Sequence, residues 1–258
     1  MADFVEALPF AEAVKYHAGR KPLPTSLSSA QLRALGAEFH RRNFTSARTL
    51  IEELLESYSR DVEKILNPVR AERDTGQVVT EGLNVAKARE QAKTLLESLG
   101  YEPDPDKRGT IEDLSSDRRI NLVLETNVAV AQGQGRWLQG QDEVSLDTFP
   151  ALELLRVEER KDPRDWPQRW RIAAAVAGDV DAARVLEFEG RMIARKDSGI
   201  WQALGDGAGG YTDTLGNPFE PFAFASGMGT LPVSHDEAEA LGLIRAGQKV
   251  TPQQLATA

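Results

Sequence analysis

Apolar side chains recur along the first half of this chain mostly at steps of three and four, the spacing of one helix face. Phe10, Ala13, Val14 and His17 form a first stripe, which Gly19 and the run Lys21–Pro24 end, because proline cannot continue the backbone ladder. Thr25 or Ser26 is placed to open a second helix, marked by Leu32, Leu35 and Phe39. From Ser46 the pattern strengthens. Leu50, Ile51, Leu54, Leu55, Tyr58, Val62, Ile65 and Leu66 predict an amphipathic helix of about five to six turns. Asn67–Pro68 breaks or kinks it, and Thr75–Gly76 reads as a turn. Val85, Ala88, Ala92, Leu95, Leu96 and Leu99 predict a further helix, closed by Gly100 in a left-handed cap.

The polar run Glu102–Asp106 contains two prolines and reads as a stiff linker. Beyond it, Ser115, Ser116 and Asp117 supply cap chemistry for a helix with Ile120, Val123, Leu124, Asn127, Val128, Ala131 and Leu138 on one side. Leu152–Val157 suits either a short strand or a helix. Ala173–Leu186 reads as helical with an interruption at Gly178–Asp179. Ile200–Gly229 is crowded with glycine, proline and aromatics; it predicts a loop-rich segment whose aromatics pack across the core. Ser234 caps a short helix, Asp236–Leu241, ended by Gly242, and the polar tail from Gly247 is expected to be mobile. The fold class is therefore α+β, predominantly helical. A helical N-terminal docking domain (1–101) and a linker (102–110) precede a mixed, loop-rich domain (111–246) and the tail (247–258).

Composition narrows the chemistry. Hydrophobic residues make up 41% of the 258, enough for a real core. A net charge of −9 argues against coating DNA, which needs a dense excess of Lys and Arg. The absence of cysteine excludes disulfides, thiolate metal sites and Cys nucleophiles. His17, His40 and His235 lie far apart in sequence without metal-ligand spacing. The first residues carry acids where a secretory signal would carry Lys or Arg, and no window approaches a membrane span, so a soluble protein made where it is used is expected.

Each candidate site has a plain structural alternative. Asn127 on an apolar stripe is either a partner contact or a core amide paired to a nearby loop, and the second is favoured because buried amides must be satisfied. Arg136 either grips a partner or, the favoured reading, neutralises carbonyls at its helix C-terminus. Trp166 and Trp170, interleaved with Arg164, Arg169 and Arg171, read equally well as an interface hot spot or as a core edge with arginines stacked on indoles. With 40 acids, chance carboxylate pairs are inevitable, so a glycosidase-like pair is disfavoured. The Asp206–Asp213 loop lacks the ligand spacing of a calcium loop, and its glycines lack the strand, helix and lysine of a phosphate loop.

Several ordered blocks carry a family resemblance. LPFAEAVKYHAGRKPLPT (Leu8–Thr25) is similar to the opening of the Mu-F-like phage head-morphogenesis (minor head protein) family. Within DRRINLVLETNVAVAQGQGRW (Asp117–Trp137), Arg118 or Arg119, the triplet Glu125, Thr126 and Asn127, and Gly135–Arg136 match that family's helix. Leu155–Arg156 and Asp162–Trp166 follow, then Arg169–Trp170, Gly190–Ala194 and Ile200–Trp201. Asn217–Phe219, Pro221–Phe224 and Ser226–Met228 resemble the family's proline-aromatic region. Many members also carry an Asp/Arg/His group and a closing Cys-Arg-Cys; this chain has no Cys and no His between His40 and His235.

The resemblance implies a structural, non-enzymatic protein without a cofactor. It would bind the phage portal protein, the major capsid or scaffold proteins, or further copies of itself, with no membrane contact and DNA contact not primary. It would assemble in the host cytoplasm and then reside in the virion, in the head interior or near the portal, assisting head assembly or genome delivery. Arg164, Trp166, Trp170 and Trp201 would serve with Glu125, Thr126, Asn127 and Arg136 as motif or partner-binding residues. The rival is a virion-borne enzyme, a hydrolase or an ADP-ribosyltransferase-type effector, since some relatives carry appended toxin domains.

Overall fold

The computed structural model describes residues 10–72 and 78–253. The fold is α+β and predominantly helical, as the periodicity predicts. By packing it divides into two compact units: one holds the described residues up to Leu35 with Phe39–Gly135, the other Gly36–Glu38 and the residues from Arg136 onward.

The first unit contains α1 (Ala11–Ala18), a two-residue strand β1 (Lys21–Pro22) and α2 (Ser29–Arg33). Ser28, rather than Thr25 or Ser26, caps α2, in a reciprocal pair with Gln31. The single helix expected across Leu32–Phe39 is two, because Gly36 takes φ 79° and separates α2 from α3 (Gly36–Arg42). Strand β2 (Asn43–Phe44) pairs in parallel with β1.

Helix α4 (Glu52–Leu66) starts later than the apolar pattern suggests, leaving Leu50 exposed. The cause is polar. Arg119 donates from Nη2 to Ser46 Oγ (2.6 Å), Thr49 Oγ1 (3.3 Å) and the Ala47 carbonyl, which holds that stretch as a loop. Strands β3 (Val69–Glu72) and β4 (Val78–Glu81) form an antiparallel pair that the pattern does not reveal; the Thr75–Gly76 turn lies outside the described residues. Helix α5 (Val85–Ser98) is capped by Asn84 and closed by Gly100 at φ 70°.

Ser116 caps α6 (Asp117–Gln139), accepting from the Arg119 amide at 3.2 Å. Leu54, Leu55, Tyr58 and Val62 of α4, Ala88, Ala92 and Leu96 of α5, and Ile120, Leu124 and Ala131 of α6 share one core with Ala13 and Phe44. The segment 102–110 is therefore not where the packing divides: Leu96 before it and Ile120 after it bury the same surface. The division falls between Gly135 and Arg136, inside α6. Leu138, expected on the apolar stripe, is exposed.

In the second unit, the ambiguous Leu152–Val157 stretch is a strand. It forms β5 (Ala151–Arg156), the centre of a three-stranded antiparallel sheet between β6 (Met192–Arg195) and β7 (Met228–Val233). Alternation assigns its faces. Leu154 and Ala194 pack with α8 (Trp166–Ala177), α9 (Val180–Glu189) and α10 (Ile200–Asp206), whereas Ala151, Ile193 and Val233 pack with Leu146 of α7 (Glu143–Thr148) and Ala238 of α11 (His235–Ala240). Gly178 at φ 68° and the Asp179 cap separate α8 from α9 where expected. Ser234 caps α11 and Gly242 ends it at φ 66°.

Ile200–Gly229 opens with a helix, α10, where a loop is expected, but Phe219, Phe222 and Ala223 are buried, as its aromatic content predicts. The start of the tail is docked rather than loose. Val250 is buried beside Leu243 and Ile244, and the Gln253 amide donates to Gln141 Oε1 at 2.7 Å. Among the described residues no helix is long and apolar enough to cross a membrane.

Candidate functional site

The Glu125–Thr126–Asn127 triplet divides by helix geometry. Glu125 is exposed, Thr126 half-buried, and Asn127 buried on the core side of α6. Asn127 Oδ1 accepts from Arg20 Nη1 at 2.8 Å, and its Nδ2 donates to the Val123 carbonyl at 2.8 Å. Arg20 is itself buried, lies over the rings of Tyr16 and Phe44 (5.6 and 5.3 Å), and donates from Nε to the Asn43 carbonyl. Burial pulls its pKa below the usual arginine range. The favoured core role of Asn127 stands, although its partner is a guanidinium rather than a loop carbonyl. A second contact joins the same two stretches: a Cβ on Gly135 would lie 2.8 Å from Phe10 Cζ, so α1 crosses α6 where a side chain has no room.

The tryptophans are core, not surface. Trp166, Trp170 and Trp201 are each at most 2% exposed. Trp170 donates to the Ala182 carbonyl (3.2 Å) and Trp201 to the Arg195 carbonyl (2.8 Å), which satisfies two of the indole N–H groups. Trp170 meets Trp201 edge-on at 5.4 Å, and Trp201 stacks on Phe222 at 6.0 Å. The Trp/Arg surface expected of this domain is thus a core edge. Arg169 sits over Trp166 (5.2 Å) and Tyr211 (4.0 Å) and grips Asp213 with both Nη nitrogens, at 2.9 and 3.0 Å. Arg164 reaches the same carboxylate from Nε (2.7 Å) and ties down the Phe224 carbonyl (2.7 Å). Burial alone would raise the Asp213 pKa, but the bond to Arg169 and the charges of both arginines outweigh it and hold it below the ordinary carboxylate value.

Arg136 pairs with an acid rather than with the carbonyls at its helix C-terminus. Its Nε bonds Glu220 Oε1 at 2.6 Å, and Glu220 Oε2 accepts from Thr230 Oγ1 at 3.0 Å. This pair borders a cavity of about 260 Å³ in the second unit, walled by Trp137, Phe149, Trp201, Phe219 and Phe222. Also lining it is Lys196, at the end of β6 and only 3% exposed, with Nζ directed to the carbonyls of Gly140 (3.0 Å) and Ser145 (3.2 Å) and to Ser145 Oγ (3.2 Å). Burial pulls its pKa down to about 8.

Of the sequence-predicted residues, only Arg136 and Trp201 line this cavity; Arg164, Trp166 and Trp170 belong to the Asp213 cluster and core, and the triplet to the first unit. Lys196 and Glu220 escaped sequence reasoning. The only signal for Lys196 is a lysine directly after a short apolar strand, which has no specificity of its own.

The histidines stay apart in the fold: His17 bonds the Ser59 carbonyl, His40 the Leu32 carbonyl and His235 the Asp147 carbonyl. Among the described residues no group of three or more His, Asp or Glu is placed to hold a metal ion. Both end carboxylates of the Asp206–Asp213 loop are engaged by neighbours, Asp206 by Gln202 Nε2 at the surface (2.7 Å) and Asp213 by the arginines. No protein-family model, no curated protein and no solved structure matches the chain.

Proposed function

We propose that the chain is a structural minor head protein of a tailed phage or prophage. It binds near the portal or on the inner face of the head and assists head assembly or genome delivery. One observation carries the reading beyond the motif resemblance itself: the resembling blocks, far apart in sequence, are the residues that hold one another in place. Arg20 of the opening block bonds Asn127 of the triplet. Arg136 of the Gly-Arg ending bonds Glu220 of the proline-aromatic region, and Arg164 of the Asp162–Trp166 block bonds the Phe224 carbonyl. Trp201 stacks on Phe222. Blocks that brace one another in this way suit a protein whose work is to present surfaces to other subunits.

Its partners on this reading are the portal protein, the major capsid or scaffold proteins, and further copies of itself. The test is direct. Full-length chain is mixed with assembled portal rings of the same phage and resolved by size-exclusion chromatography with light scattering. Co-elution at a fixed ratio supports the reading, and complete separation at micromolar concentrations contradicts it. The full chain is required because residues 1–101 alone would lack Ile120, Leu124 and Ala131, which complete the first core.

A further inference from the structure

The cavity beside Arg136 combines features that the scaffold role does not use. Lys196 is 97% buried by its 3% exposure, yet among the described residues no carboxylate lies within ion-pair distance of its Nζ. Its three hydrogen-bond acceptors are neutral, so its hydrogen bonds are satisfied while no direct ion pair offsets its charge. Glu220 cannot supply the missing charge, since its two oxygens are engaged by Arg136 and Thr230. Arg136 in turn commits only Nε; its two Nη nitrogens have no hydrogen-bond partner among the described residues, and its side chain is 49% exposed at the rim. Of the charged side chains that line the cavity, one is an acid and two are bases; Asp142, outside the walls, also acts on Lys196 and raises its pKa.

We infer that this cavity is a binding site for a carboxylate carried on a small, flat apolar body. The free Nη pair of Arg136 offers the fork geometry that a carboxylate accepts in bidentate fashion. The buried ammonium of Lys196 adds attraction where the walls are apolar and screening is weak. The aromatic faces of Trp137, Phe149 and Phe219 receive the body, and a volume of about 260 Å³ limits that body to roughly one aromatic ring. A phosphate fits less well. Its further oxygens would face apolar walls, because the Lys196 hydrogens are already taken. Such a carboxylate arrives either on a free aromatic acid or on a Glu beside an aromatic residue of another protein; the chemistry recognised is the same. The inference does not depend on the head-protein reading.

The experiment titrates full-length protein with phenylacetate and with neutral phenylacetamide at pH 7, following the fluorescence of the cavity residues Trp137 and Trp201. The acid is expected to bind about tenfold more tightly than the amide. That preference should shrink as pH rises past 8, because Lys196 then loses its proton; the other charged groups around it are Asp142, Glu220 and Arg136. Lys196→Met should cut the preference to the level that wild type keeps well above pH 8, and Arg136→Gln should cut it several-fold. A parallel arm with blocked Phe-Glu and Phe-Gln dipeptides separates the sources: tighter binding of Phe-Glu than of phenylacetate assigns a protein ligand, and the reverse assigns a free acid. Equal affinity for acid and amide in wild type, or no saturable binding by either pair, overturns the inference. A preference that persists unchanged at pH 10 does so as well, and this readout needs no variant to fold.

Discussion

Arg20 Nη1 donates to Asn127 Oδ1 at 2.8 Å across 107 positions of sequence, inside the core of the first unit. Among the described residues no carboxylate pairs with the guanidinium, and an amide, a backbone carbonyl and two aromatic faces surround it. This bond fastens the Gly19–Thr25 turn to α6 and explains why an amide belongs on that helix's apolar stripe.

Replacing Asn127 with Ala leaves that guanidinium short of its side-chain acceptor. The expected cost is about 2–3 kcal/mol, the upper part of the range for an orphaned buried group, since this one is charged. Arg20→Met combined with Asn127→Leu should recover much of it, because two apolar groups leave nothing unpaired. Chemical denaturation of the single and double variants checks this; strictly additive losses would show that the two residues act separately.

Asp61 on α4 is 3% exposed, and its Oδ2 has no hydrogen-bond partner among the described residues. Burial pushes its pKa up to about 6, against Lys64 and Arg60, which lower it. A raised carboxyl pKa means that the fold favours the protonated form. The penalty for ionisation is absent below about pH 4, grows between pH 4 and 6, and is fully present above, reaching up to about 3 kcal/mol. Asp61→Asn should therefore stabilise the protein at pH 7 and have little effect at pH 4. Thermal melts across that window read the difference, and a constant offset at all pH values would refute it.

Asp213 has the opposite sign. Its pKa is held down by the Arg169 bond and by both arginines, so its contribution is present above the ordinary carboxylate value and is lost as pH falls through the lowered one. Asp213→Asn should cost about 1–3 kcal/mol at pH 7, less than a fully buried pair because the carboxylate is partly open to water. The wild-type and variant stabilities should converge as pH falls through that lowered value.

Two glycines of the aromatic segment should differ sharply. A Cβ at Gly205 would lie 1.9 Å from the Asn217 carbonyl oxygen, so Gly205→Ala must displace backbone. Gly210 takes φ 84° but has open space around it, so Gly210→Ala carries only the left-handed strain of about 1–2 kcal/mol. Expression and melting of the pair should show Gly205→Ala as the severe variant, by several kcal/mol.

Helices α4 and α5 of the first unit were legible because each carries a long apolar stripe and ends near Pro68 or Gly100, whereas the short α2 and α3 read as one. Strand β5 was not: Leu152, Leu154 and Leu155 fit either period, and only pairing with β6 and β7 decides it. The Pro-rich 102–110 segment looked like a boundary, but boundaries follow the packing on either side, and Leu96 and Ile120 share a core. Trp166 and Trp170 could not be assigned to core or surface from local sequence, since arginines flank indoles in both settings. The cavity was illegible for a similar reason: Arg136, Lys196 and Glu220 come from three separate elements and meet only through the sheet and the proline-aromatic loop.

The central claim, a structural role in the phage head, is tested most directly by the protein composition of purified procapsids and virions. Quantitative mass spectrometry should find this chain in one or both, at a fixed small number of copies per portal ring. Its absence from both particles would contradict the account.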